Sequence, residues 1–130
     1  PGDIGRHVWR TNLTDAHRLL SNAVRWALHE ELPVTVEGPG FLEVTAYRRP
    51  SDIQVHLVNH SNPDVWQAPI HEIVPVGAQT VRIRLPDKVR PTGARLLVAN
   101  TSVSVEAQGE VAVVTVPEVQ AHEVLVLTLA

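Results

Sequence analysis

Residues 56 to 77 read HLVNHSNPDVWQAPIHEIVPVG, and within them His60, Trp66, His71 and Glu72 have the most chemistry to offer. Imidazole and carboxylate groups can ligate a metal, carry a proton or hydrogen-bond a polar ligand. An indole face can stack on the C–H face of a sugar ring. Pro63, Pro69, Pro75 and Gly77 punctuate the same segment and stiffen it. Two readings follow. The segment can be a carbohydrate-binding loop built on Trp66, with His60, His71 and Glu72 as hydrogen-bond partners. It can equally be a cap, with Trp66 plugging the end of a sandwich beside Val65 and Ile70. Ile70, Ile73 and Val74 favour the cap, because they imply a loop folded back on the core.

Other chemistries find less support. The chain has seven histidines, but a structural zinc site wants four tetrahedral ligands with tight local spacing. His17 and His29 are twelve residues apart and point to different sides of a helix. His56 and His60 share one face of a strand at a separation of about 13 Å. No metal and no cofactor is expected. With no cysteine, thiolate nucleophiles and disulfides are excluded. There is no G-x-S-x-G elbow to present a serine to a base. Glycoside hydrolysis needs two facing carboxyl groups, one of them kept protonated. Glu43, Glu72, Glu106, Glu110 and Glu123 are instead scattered over turns and wet strand faces. No residue is assigned a catalytic role, and the chain is not expected to be an enzyme.

The elements that must position these groups follow from side-chain rhythm. From Thr14, a plausible N-cap, Leu19, Leu20, Ala23, Val24, Ala27 and Leu28 recur at helical spacing until Pro33 stops the pattern. After Pro33 the period drops to two. Leu42, Val44 and Ala46 alternate with Glu43 and Thr45. Ile53, Val55 and Leu57 oppose Gln54 and His56, and Val81, Ile83 and Leu85 oppose Arg82 and Arg84. The arginine pair makes a small solvated stripe. Further strands read as ARLLVAN, SVSVEA, VAVVTVP and HEVLVLTLA, with turn signals at Gly38-Pro39-Gly40, Pro50-Ser51-Asp52, Pro91-Thr92-Gly93, Gln108-Gly109 and Pro117-Glu118. About eight short strands of this kind predict a mainly β protein, an antiparallel immunoglobulin-like β-sandwich with one N-terminal amphipathic α-helix. The last strand is apolar on both faces, so it is expected to be central or covered, with the helix as the candidate cover.

The expected division is a loop and helix over residues 1–32 and a sandwich over 33–130. A single Lys and a net charge of −3 exclude a nucleic-acid footprint. No apolar run reaches the roughly 18 residues of a membrane span, and nothing fixes a compartment. Sequons at Asn12, Asn59 and Asn100 carry little weight as glycosylation sites. The chain contains no Met, so it is expected to be processed or part of a longer polypeptide.

The segment VHLVNHSNPDVWQAPIHEIVPVGAQTVRIRLPDKVRPTGARLLVA resembles the C-terminal β domain of a family of large glycoside hydrolases. In that family a (β/α)8 barrel is followed by a domain similar to the β-galactosidase trimerisation domain and then by a small β module. Pro1, Gly2, Asp3, Gly5, Arg6, Trp9, Leu19, Leu20, Asn22, Ala23, Val24, Trp26 and Ala27 match the end of the trimerisation-like domain. Pro117, His122, Glu123 and Val124 match the closing pattern of such chains. The resemblance implies a non-catalytic accessory domain, since the family's catalytic carboxylates lie in the barrel. It also implies partners: the preceding domains of the same polypeptide, a second copy of the chain, or carbohydrate.

Overall fold

The computed structural model of the chain describes residues 14–29, 31–61 and 72–130, with side chains from Arg18 onward in the helix. Trp66 and His71 lie outside the described residues, as does the sequon at Asn12. The chain divides into two units, Pro1–Leu32 and Pro33–Ala130.

In the first unit, helix α1 spans Thr14–Leu28. It ends where His29 turns to φ 52°, the left-handed geometry that commonly closes a helix. Leu19, Leu20, Val24 and Leu28 of its apolar face are exposed.

The second unit is a two-sheet sandwich. Its strands are β1 (Val34–Glu37), β2 (Leu42–Arg48), β3 (Asp52–Asn59), β4 (Gln79–Arg84), β5 (Pro91–Leu96), β6 (Thr101–Val103), β7 (Val105–Gln108), β8 (Val111–Val116) and β9 (His122–Leu129). One sheet runs β1-β4-β8-β7 and the other β2-β3-β9-β5-β6, all pairs antiparallel. β9 is the middle strand of the larger sheet, the position its two apolar faces require.

The alternation in the sequence becomes the core directly. Val55, Leu57, Leu125 and Leu127 from the five-stranded sheet meet Val81, Ile83, Val114 and Val116 from the four-stranded sheet, all essentially inaccessible. Each such burial stabilises the fold by about 1.5–3 kcal/mol. Val76 and Val119 close one end through a reciprocal pair of backbone hydrogen bonds at 2.9 and 3.0 Å. At edge strand β2 the pattern is right but the burial is not. Val44 and Ala46 point to the core side and are nonetheless exposed, because an edge strand has a neighbour on one side only.

Three expectations need correction. SVSVEA is not one strand. It breaks at Ser104 into β6 and β7, which belong to different sheets, so nine strands form among the described residues where about eight were expected. Pro91-Thr92-Gly93 is not a turn but the start of β5, where the register to β9 shifts. The chain turns instead at residues 87–88, and ARLLVAN, expected as a strand throughout, leaves β5 after Leu96 for a second turn at residues 97–100. There the buried Glu123 carboxylate accepts the Val98, Ala99 and Val124 N–H groups at 2.9, 3.0 and 2.7 Å, an anion satisfying amides that a strand would have paired.

Candidate functional site

Two consecutive outward positions on a strand lie two residues apart, so each sheet presents one outer face. On the five-stranded sheet that face carries Glu43, Thr45 and Tyr47 from β2, Gln54, His56 and Val58 from β3, and His122, Val124 and Val126 from β9. Arg95 of β5 and Ser102 of β6 extend it.

Rings converge there. Tyr47, His56 and His122 sit on three adjacent strands, each one diagonal step from the next in the register. Diagonal neighbours are within reach of aromatic side chains. Tyr47 meets His56 edge-on at 5.5 Å between ring centroids, and His56 stacks on His122 at 5.4 Å with the planes 21° apart. A hydrogen bond of 3.3 Å joins His56 Nδ1 to His122 Nε2. Tyr47 is 56% exposed, and both imidazoles are half-buried.

A second cluster lies at the β2–β3 end of the same face. His60 Nε2 meets Glu43 Oε2 at 3.0 Å, and the Phe41 ring tilts against His60 at 6.1 Å. On β3, at the end away from His60, Gln54 Nε2 donates to Asp52 Oδ1 at 3.0 Å, and on β5 Arg95 is held by Asn100 Oδ1.

His122 also lines a depression of about 220 Å³ at one end of the sandwich. Leu96, Val98, Ala99, Pro117 and Gln120 form its wall, and Glu123 its floor. Glu123 is the one buried carboxylate among the described residues, and its two oxygens are spent on three backbone amides. It holds a turn and is not poised for proton transfer. The 3.3 Å between His56 Nδ1 and His122 Nε2 would also suit two imidazoles on one tetrahedral zinc, about 3.4 Å apart from the usual Zn–N length. Among the described residues, however, no third donor joins them.

Of the residues expected in a carbohydrate-binding loop, His60 takes part in the ring face through Glu43 and Phe41, while Glu72 is exposed. Ile73 and Val74 do not fold onto the core as expected. They are 47% and 54% exposed, and Val76 fills that place instead. Asn59 is shut off from modification. It is 6% exposed, donates to Val74 O and Gln120 O at 2.9 and 2.7 Å, and accepts the Ser61 N–H at 2.9 Å. Tyr47 is not singled out from sequence, and His122 enters there only through the closing pattern of the resemblance. Alternation places each on a wet face, but only the strand order brings them together.

No protein-family model matches the chain, and no curated protein does. Solved structures do. The chain is similar to part of alpha-L-fucosidase isoenzyme 2 from Paenibacillus thiaminolyticus, with a TM-score of 0.74 and 18% identity over 96% of this chain and 19% of that one. It is also similar to part of a cycloisomaltooligosaccharide glucanotransferase from Paenibacillus sp., complexed with cycloisomaltoheptaose. That match has a TM-score of 0.59 and 15% identity over 72% of this chain and 16% of that one. At such identities the likeness is one of fold. The chain spans about a fifth of the fucosidase and less of the glucanotransferase.

Proposed function

We propose that this chain is a non-catalytic β-sandwich accessory domain of a larger glycoside hydrolase, and that it serves the packing of domains or subunits. The fold recurs as a minor part of two enzymes whose names describe work on saccharides. The carrying observation is the disposition of the carboxylates. Glu123 is consumed by backbone amides, and Glu43, whose side chain is 63% exposed, leans on His60. Among the described residues, no second carboxyl group is brought against either, as acid–base cleavage of a glycosidic bond requires. Edge strand β2 exposes Val44, and Leu97 and Val98 add exposed apolar surface at the 97–100 turn. Such surface suits contact with a neighbouring domain.

The test is a turnover screen of the purified 130-residue chain on 4-nitrophenyl glycosides, including the α-L-fucoside. No release of nitrophenol above the buffer rate is expected. Turnover that disappears in Glu43→Gln or Glu123→Gln would overturn the proposal.

A further inference from the structure

Every ring described in the sandwich lies on one surface. Phe41, Tyr47, His56, His60 and His122 all belong to the outer face of the five-stranded sheet, and the outer face of the other sheet has none. Core packing does not require this arrangement, because among the described residues the core is built from aliphatic side chains alone. Nor does strand propensity, which would spread rings over both sheets.

The hydrogen bonding within the histidine pair says what such a face could hold. One ring donates and the other accepts across the 3.3 Å contact. In a neutral imidazole one nitrogen carries a proton and the other does not. The far nitrogen of the donating ring is therefore an acceptor, and the far nitrogen of the accepting ring is a donor. The pair offers one of each whichever way the shared proton lies. A phosphate or carboxylate needs donors, and a cation needs acceptors. A hydroxyl both donates and accepts, so two neighbouring hydroxyls satisfy both nitrogens together.

The surroundings fit the same occupant. Tyr47, more than half exposed, supplies a ring face beside the pair. Centroid steps of 5.5 and 5.4 Å from Tyr47 to His56 to His122 are close to the length of one hexose ring. Glu43, Asp52 and Arg95 are the charged groups on this face, and there is no lysine on it, so no strong field selects a charged partner. The diagonal leads from the β2 edge to His122 and so to the depression beside it.

We infer that the outer face of the five-stranded sheet is a saccharide-binding surface, on which Tyr47 stacks a neutral hexose and the His56–His122 pair hydrogen-bonds two of its hydroxyls. This rests on the accessory-domain reading and gives that domain a ligand. None of Tyr47, His56 and His122 belongs to the 60–77 segment.

The test is a titration of the ¹⁵N-labelled 130-residue chain with maltoheptaose, isomaltoheptaose, cellohexaose and 2′-fucosyllactose, followed by amide and imidazole shifts. At least one should give saturable shifts centred on Tyr47, Gln54, His56 and His122. Tyr47→Ala should weaken that binding roughly tenfold or more, as should His122→Phe, which keeps a ring but removes the donor and acceptor. Arg82→Ala, on the opposite sheet, should leave it unchanged. The inference is overturned if none of the four sugars shifts this face, if the shifts centre on residues 60–77, or if both variants bind like the parent chain. Shifts at His56 and His122 produced by ZnCl₂ alone would replace it with a metal site. Absence of binding would leave the accessory-domain proposal standing, whereas nitrophenol release would overturn that proposal without touching this one.

Discussion

The two outer faces of the sandwich follow the same rule of alternation and came out differently. On the four-stranded sheet, Thr35, Glu37, Thr80, Arg82, Arg84, Val113, Thr115, Glu106 and Gln108 make a surface of short polar, charged and β-branched groups. These suit a strand exposed to water and nothing more. The five-stranded sheet keeps the same strand chemistry and adds rings that touch one another and polar groups already paired, Glu43 with His60, Gln54 with Asp52 and Arg95 with Asn100. Paired and stacked side chains have surrendered their rotamer freedom before any ligand arrives, which lowers the cost of binding. One face is solvated and the other is organised.

The comparison can be broken first at the level of the core. Leu125→Ala, beneath the ring face, and Ile83→Ala, beneath the plain face, should each cost about 2–5 kcal/mol in urea unfolding. Similar costs mean that the faces differ only at their surfaces. A much smaller cost for Leu125→Ala would mean the ring face lies over a loosely packed half.

Next come the buried polar residues that fix the ends of the ring-bearing strands. Asn59→Ala leaves the carbonyls of Val74 and Gln120 and the Ser61 amide without their partner. Glu123→Ala strands the amides of Val98, Ala99 and Val124. Each should cost about 2–3 kcal/mol, and Glu123→Ala should also raise amide exchange at residues 98 and 99. An undiminished midpoint for either would show that water replaces these partners.

Gly40→Ala should destabilise by more than about 1 kcal/mol. Gly40 has φ 87°, and a Cβ there would strike the Val76 side chain that helps close the sandwich. The readout is the urea midpoint, and an unchanged value would mean the 38–41 turn yields.

The smallest effects sharpen the comparison most. Tyr47→Ala and His56→Ala on the organised face, and Thr80→Ala and Arg82→Ala on the plain one, should each change stability by about 1 kcal/mol or less. Larger losses confined to Tyr47 and His56 would make the rings a packing device and not a recognition surface.

Much of this was legible in the chain. The switch of period at Pro33 and the alternation of Ile53, Val55 and Leu57 against Gln54 and His56 give the sandwich and its core positions without reference to pairing. Strand order is different, because it depends on contacts between distant residues. His56 and His122 are 66 positions apart, and nothing local says that β3 and β9 lie side by side. The turn at 97–100 was hidden for the same reason. LLVAN reads as a strand until the Glu123 carboxylate, from another strand, takes its amides. The loop that first drew notice supplied His60 to the ring face, and there through a partner, Glu43, that its own sequence does not contain.

The most direct measurement is a crystal structure of the 130-residue chain soaked with the saccharide that gives the largest shifts. The account predicts sugar lying across Tyr47, His56 and His122, with hydroxyls on the two outward imidazole nitrogens. Sugar seated on the Thr80–Arg82–Val113 face or within residues 60–77, or a bare ring face, would contradict it.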